Sequence, residues 1–373
     1  MEARQIHPLM DAFPKISQKV AELQPYEPVS SLDLIRRRPE LVHYKLDWNE
    51  STIPPSPKVK EAIFAFLNNG SHLNWYPEMH NYQLLQKIAA YADCQPSQIL
   101  VTNGSDEALD VICHCFLDDG DNVVAPVPTY THFLHFVRMV GAEIREVKGE
   151  NPLLPTLKEV SRAVNDKTKI IYLVNPNNPT GNIYSPAEIM QLALRNPQCL
   201  VLVDEAYYEF SGVSCVKLLG EVENIVVTRS FSKCFGLAAM RIGYLIAVEK
   251  IIQQLRRVHN PKSVNMLAQV AASAALEDLS YYRNYARSVK RSANLMLAYC
   301  RQRHIECWPT YANFMLLRFS KPQTIIEGLA RKGVYIRDRS RLLPGMVRIT
   351  LGTEEHTREV IQRLDEVLEE IGF

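Results

Sequence analysis

No stretch of this 373-residue chain approaches the roughly 20 consecutive apolar residues that span a bilayer. Its most apolar helical segment, 264–276, is interrupted by Asn265, Gln269 and Ser273, which suits a helix buried in protein. The start, Met1-Glu2-Ala3-Arg4-Gln5-Ile6-His7, has an early acid and no apolar core, so no secretory signal is expected. Neither sign of charge dominates: Lys+Arg 42 against Asp+Glu 41 leaves a formal charge of +1. A nucleic-acid binder would carry a basic block, and the clusters Arg36-Arg37-Arg38 and Arg256-Arg257 read as solvated faces instead. Cysteine is sparse, at eight residues, with no C-x-x-C pair, and Cys113 and Cys115 fall in an apolar, helical run. That excludes a disulfide framework and argues against zinc. With 47% hydrophobic and 22% charged residues, the chain is too apolar to be disordered. A soluble, reduced, cytoplasmic globular protein is expected, with no nucleic-acid or membrane partner.

The length suggests more than one packed unit. Residues 1–48 carry Pro8, Pro14, Pro25 and Pro28 and read as an N-terminal arm with one short helix. Helical periodicity runs over 58–68, 82–91 and 106–116. Between helices lie short runs that are apolar throughout: 122–125, 170–174, 200–203 and 225–228. Such runs are strands buried on both faces of a mainly parallel sheet, which makes the fold α/β. After Asn260-Pro261 the pattern changes to a long helical stretch from 263 to about 303. Strand candidates follow at 313–317, 334–337 and 346–350, then an amphipathic helix at 357–371. The division expected is a large domain over 49–262 and a smaller α+β domain over 263–373.

In an open parallel sheet, ligands bind beyond the carboxyl ends of the strands. The segment after 170–174 is Asn175-Pro176-Asn177-Asn178-Pro179-Thr180-Gly181, which on its own is equally a turn. After 200–203 comes Asp204-Glu205-Ala206-Tyr207, where an isolated acid would be a helix cap. After 225–228 comes Arg229-Ser230-Phe231-Ser232-Lys233, with Arg241 eight residues on; a lone lysine there would be a surface residue. Taken together these residues ask for a ligand. Hydroxyls, a lysine and an arginine suit a phosphate, the acid suits a protonated ring nitrogen, and Asn with Tyr suits a phenolic oxygen. Pyridoxal 5'-phosphate (PLP) has all three, and its chemistry needs a Schiff-base lysine and a carboxylate partner for the pyridinium. Thr102-Asn103-Gly104-Ser105-Asp106-Glu107 opens a helix, and helix N-termini attract phosphate.

The ordered set Asn103-Gly104-Ser105-Asp106-Glu107, Pro128-Thr129-Tyr130, Asn175 to Gly181, Asp204 to Tyr207 and Ser230-Phe231-Ser232-Lys233 with Arg241 resembles fold-type I PLP enzymes. Within them the chain resembles the histidinol-phosphate aminotransferase family of class II aminotransferases, from Pro25-Tyr26 to Arg348-Ile349-Thr350-Leu351-Gly352. The resemblance implies a fold with a large PLP-binding domain and a small C-terminal one. It implies Lys233 as Schiff-base lysine and proton shuttle, Asp204 as partner of the ring nitrogen, and Asn178 with Tyr207 as partners of the ring oxygen. Tyr130 would stack on the ring, and Ser105, Asp106, Ser230, Ser232 and Arg241 would hold the phosphate. Tyr76 resembles the tyrosine that reaches the phosphate from a neighbouring subunit, which implies a homodimer with shared active sites.

On the substrate side, the resemblance implies Arg348 for the acidic group, with Arg337, Tyr26 and Asn178 as further contacts, and Asn49-Glu50 as the arm entering the site. Several family members carry Pro-Tyr where this chain has Pro261-Lys262. If Lys262 points inward, it adds a cation beside Arg337 and Arg348 and favours a more acidic or phosphorylated substrate; otherwise it faces solvent. The activity implied is transamination between an amino acid or amino-alcohol phosphate and a 2-oxo acid, in amino-acid biosynthesis. The same framework also carries decarboxylation, elimination, replacement or cyclisation on the same carbanion. A catalytically idle regulatory domain is disfavoured by the intact Lys233, Asp204 and Arg241.

Overall fold

A computed structural model describes residues 14–21, 23, 30–70, 72–79 and 81–372. Seven strands form the central sheet: β1 (Ile99–Thr102), β2 (Asn122–Pro126), β3 (Glu143–Val147), β4 (Thr168–Val174), β5 (Leu200–Asp204), β6 (Ile225–Ser230) and β7 (Gly243–Ala247). Their order is β1-β7-β6-β5-β4-β2-β3. The run β6-β5-β4-β2-β3 is parallel, while β7 is antiparallel to both neighbours. The sheet is therefore mainly parallel and lies between helices, the α/β architecture that the fully apolar strand runs imply.

A strand's side chains alternate between faces, and here both faces are buried. Ile171, Leu173, Val201, Val203, Ile225 and Val227 enter one core. Their alternates Ile170, Tyr172, Leu200, Leu202 and Val226 enter the other, against helices Gly104–Phe116 and Thr131–Met139. Helix starts are fixed by side chains that accept free backbone N–H groups, among them Ser56, Asn81, Asn265 and Thr353. Each such cap contributes about 1 kcal/mol.

A second, antiparallel sheet is built from β8 (Glu306–Cys307), β9 (Phe314–Arg318), β10 (Arg337–Asp338) and β11 (Met346–Thr350), in the order β10-β11-β9-β8. Helices Leu279–Gln302, Pro322–Arg331 and Glu354–Glu370 accompany it. Thr350 and Leu46 join this sheet to the arm, since the Thr350 amide donates to the Leu46 carbonyl at 3.1 Å.

The central sheet has three strands beyond the four runs read from the sequence, β1, β3 and β7, and three further details differ. The helical run from 263 to 303 is two helices, Met266–Leu276 and Leu279–Gln302. Asp278 breaks it with non-helical φ −129° and ψ 50°, and its carboxylate instead accepts from Ser56 Oγ at 2.5 Å. The strand expected at 334–337 splits: Val334–Tyr335 pairs in parallel with Tyr44–Lys45, and Arg337 starts β10. The arm holds two short helices among its described residues, Gln18–Ala21 and Leu32–Arg36. Among the described residues no helix is long and apolar enough to cross a membrane.

Candidate active site

Parallel register aligns Val174, Asp204 and Thr228 across β4, β5 and β6. The segments that leave these strands consequently converge on one cleft of about 460 Å³. Asn178, Asp204, Tyr207, Ser230, Ser232 and Lys233 line it from the strand ends. Ser105, Asp106, Tyr130 and Arg241 close one end, and Arg337 and Arg348 the other. Tyr26 lies outside the described residues, and Tyr76 does not line the cleft.

Asp204 sits at the sheet's centre and is buried. Its Oδ1 accepts from Thr228 Oγ1 at 3.1 Å and the Ala206 amide at 3.2 Å, and its Oδ2 from Tyr172 OH at 3.3 Å. None of these donors is a cation. Burial pushes its carboxyl up to about 6, against the pull of the three donors. A buried carboxylate facing a cleft, held by neutral donors, is the partner a protonated ring nitrogen requires.

The Arg241 end has the shape and chemistry of a phosphate cradle. Helix Gly104–Phe116 begins there, with its first amides at the cleft. Gly243 permits that start to lie against the sheet, since a Cβ on Gly243 would stand 2.6 Å from the Ser105 nitrogen and 2.8 Å from the Arg229 oxygen. Gly104 has φ +78°, and a Cβ on it would meet Arg241 Nη2 at 2.5 Å. Arg241 itself holds φ +52° and donates to Asp106 Oδ2 at 3.0 Å and Ser232 Oγ at 3.5 Å. Tyr130 OH donates to the other Asp106 oxygen at 2.9 Å. Free helix amides, a guanidinium and hydroxyls fit a phosphate, and with Asp204 they fit the phosphate and ring nitrogen of PLP.

Lys233 Nζ donates to the Trp48 carbonyl at 3.0 Å, in the cleft between the two ends. Buried Tyr207 carries a hydroxyl that accepts from Asn49 Nδ2 at 3.0 Å and Asn178 Nδ2 at 3.4 Å. Asn49 is buried, has φ +57°, and is held by Thr350 and Asn313 of the smaller sheet's segment.

Arg348, on β11, is 3% exposed. Its Nη1 donates to Asn178 Oδ1 at 2.6 Å and its Nη2 to the Asp47 carbonyl at 2.7 Å, while its Nε has no hydrogen-bond partner. Burial, then the Arg339 charge, pulls its guanidinium down to about 9. A buried cation with an unused donor beside a cleft is an anion site.

Lys262 does not join this end of the chain's own cleft. Its Nζ lies 4.6 Å from the Tyr76 ring centroid, and its loop is fastened by Asn260 Oδ1, which accepts the Lys262 amide, and by Ser263 Oγ, which donates to Glu107 at 2.8 Å. Arg339 is the further cation instead. It directly follows β10 (Arg337–Asp338). Thr228, Tyr172, Asp47 and the Trp48 carbonyl were not legible, because only tertiary packing brings them to Asp204, Arg348 and Lys233.

The family model for aminotransferase class I and II matches residues 43–364. A dihydroxyacetone phosphate transaminase of Campylobacter jejuni is 37% identical over 334 residues, 88% of this chain and 91% of that protein. A histidinol-phosphate aminotransferase of a Geobacillus species is 33% identical over 367 residues, 95% of this chain and 99% of that protein. Among solved structures, histidinol-phosphate aminotransferase from Sinorhizobium meliloti in complex with pyridoxal-5'-phosphate superposes with a TM-score of 0.87 at 24% identity, covering 97% of this chain and 100% of that one.

Proposed function

The chain belongs to the class I and II aminotransferase family, and we propose that it uses PLP to move an amino group between an amino acid or amino-alcohol phosphate and a 2-oxo acid. The observation that carries this reading is buried Asp204, held by neutral donors only, in one cleft with Lys233 and the Arg241 cradle. When bound, PLP supplies an electron-accepting ring that stabilises negative charge at the substrate Cα.

The protein's share is to hold, orient and move protons. Asp204 keeps the proton on the ring nitrogen. Asn178 and Tyr207 would hold the ring oxygen, and Tyr130 would stack on the ring. Ser105, Asp106, Ser230, Ser232 and Arg241 hold the phosphate, with Tyr76 of a second copy completing that set in a homodimer. Lys233 would hold the cofactor, and its amine would move the proton at the substrate Cα. Arg348 takes the substrate's acidic group, with Arg337 and Tyr26 as further contacts. Residues 1–48, 49–262 and 263–373 act as arm, large domain and small domain. The unpaired cysteines support a cytoplasmic setting.

The Campylobacter relative's name favours a further acceptor, a keto phosphate. The test is spectroscopic: the purified protein should absorb as a PLP enzyme and change spectrum with an amino donor, then revert with a keto acceptor. Panels should include histidinol phosphate, acidic amino acids, 2-oxoglutarate and dihydroxyacetone phosphate. Lys233→Ala should remove turnover and leave the fold intact. Near-native turnover in that variant would sink the proposal.

A further inference from the structure

The donors that fix the Asp204 carboxylate leave it one place to accept another. A carboxylate offers about four acceptor positions, two on each oxygen. Oδ1 has both filled, by Thr228 Oγ1 at 3.1 Å and the Ala206 amide at 3.2 Å. Oδ2 has one filled, by Tyr172 OH at 3.3 Å. The open position therefore lies on the oxygen that Tyr172 already holds. The donors come from β4, β6 and the turn after β5, so the plane of the carboxylate is set from three sides.

Tyr172 is fully buried, and its ring stacks on Phe133 with centroids 3.9 Å apart. Packing alone asks only for a ring there, which Phe would supply. A buried hydroxyl is costly unless it is hydrogen-bonded, and among the described residues this one bonds Asp204. Burial, and then the Asp204 charge, push its phenol well above the ordinary 10, so it stays a donor at working pH.

Resting on the PLP aminotransferase reading, we infer that Tyr172 is a positioning residue that acts through Asp204: its hydroxyl presents Oδ2 to the ring nitrogen and keeps the shared proton on that nitrogen. A hydrogen bond donated to a carboxylate stabilises the charged form and makes it a weaker base. Oδ2 then accepts from the ring N–H without removing its proton. Without the Tyr172 hydroxyl the same oxygen is more basic and free to turn, the proton moves toward it, and the ring draws electrons less strongly.

The experiment compares wild type with Tyr172→Phe, which keeps the ring and its stack on Phe133 and removes one oxygen. Both are loaded with PLP isotope-labelled at the ring nitrogen, whose magnetic resonance signal reports its protonation. In the variant that signal should move toward the unprotonated position. PLP affinity by equilibrium dialysis should fall by about tenfold, and kcat by about tenfold with KM for the amino donor unchanged. In an Asp204→Asn background Tyr172→Phe should cost no further PLP affinity, because the two residues act as one unit. The cofactor-free protein supplies a further readout. The Asp204 carboxyl lies above its unfolded value, so its contribution is present at low pH and lost as pH rises through the folded value. Loss of the Tyr172 donor raises it further, and the decline of stability should extend above about pH 6. Asp106, Lys233 and Arg241 share the cleft and are the same in both proteins, so the extension belongs to the hydroxyl.

A ring-nitrogen signal and a stability profile that match wild type overturn the inference, as does an affinity loss that recurs in full beside Asp204→Asn. A Tyr172→Phe chain that fails to fold overturns it too, since the hydroxyl would then be a determinant of the fold. If wild type binds no PLP, the aminotransferase reading fails and the inference falls with it. If wild type binds PLP and transaminates while the variant matches it, only the inference falls.

Discussion

Arg348 and Asn178 meet side chain to side chain, with Nη1 of the arginine donating to Oδ1 of the asparagine at 2.6 Å. That bond ties the smaller sheet to the turn beyond β4 and orients the amide. With Oδ1 taken, Nδ2 of Asn178 faces the Tyr207 hydroxyl, which also accepts from Asn49. A hydroxyl oxygen has two acceptor lone pairs, and both are used here. The Tyr207 proton is left for an acceptor inside the cleft, which is the role expected toward the ring oxygen.

Replacing Arg348 by Gln should therefore weaken the enzyme at the substrate's acidic group. Loss of a charge-assisted contact costs about 1.5–3 kcal/mol, equivalent to roughly a 10- to 150-fold fall in kcat/KM. Arg348→Lys retains charge without the planar fork and should recover only part of it. Steady-state kinetics with an acidic donor checks this; wild-type kcat/KM in Arg348→Lys would remove the bidentate role.

Asp204 gives a prediction in pH. In the cofactor-free protein, burial raises its carboxyl from an ordinary 3.8 to about 6. The folded state then binds more protons than the unfolded state between those values, so stability falls as pH rises from about 4 to about 6. Two units correspond to roughly 3 kcal/mol. Urea midpoints of the cofactor-free protein should show this decline, and Asp204→Asn should flatten it. In the loaded enzyme the same substitution should bind PLP yet lower activity by about a hundredfold or more, from a lost buried ion pair of roughly 3–5 kcal/mol. A fall below about tenfold would favour a mere capping role for the side chain.

The sheet and its strand-end residues were legible because both signals are local. Runs such as 200–203 are apolar throughout, and polar clusters follow those at 170–174, 200–203 and 225–228. Positions set by long-range packing were not. Tyr172 reads as one more core residue of β4, and only the fold brings its hydroxyl to Asp204. Three strands of the sheet, β1, β3 and β7, were not read from the sequence; at β7, Gly243 argues against a strand until the close approach of Ser105 explains it. Lys262 was the harder case: its position in the chain left the cleft and solvent both open, and a loop held by Glu107 and Asn260 turns it onto Tyr76.

Gly243→Ala should impair the phosphate end specifically. The new methyl would press on the Ser105 nitrogen and the Gly104 carbonyl carbon, at 2.6 and 2.7 Å. Overpacking of this kind costs about 1–3 kcal/mol, and the group that must yield is the start of the helix offered to phosphate. Equilibrium dialysis should show PLP affinity falling by roughly 5- to 150-fold. Unchanged affinity would mean that the helix start does not contribute to cofactor binding.

The final prediction concerns Tyr76, which is 80% exposed and outside its own chain's cleft. Leu73, Trp75, Met79 and Tyr82 are also exposed nearby. Exposed large apolar side chains concentrated in one segment suit a contact with another molecule. If Tyr76 completes the phosphate site of a second copy, Tyr76→Phe should weaken PLP binding by roughly 10- to 150-fold, the loss of one charge-assisted hydrogen bond of about 1.5–3 kcal/mol. Lys262→Ala should matter less, because an exposed cation–π pair contributes only about 0.5–1 kcal/mol. The sharper measurement mixes Tyr76→Phe chains with Lys233→Ala chains at limiting PLP. Shared sites would give each heterodimer one cleft with both residues intact, and activity well above either parent. If each chain uses its own Tyr76, no cleft in the mixture has both, and activity stays at the average of the parents.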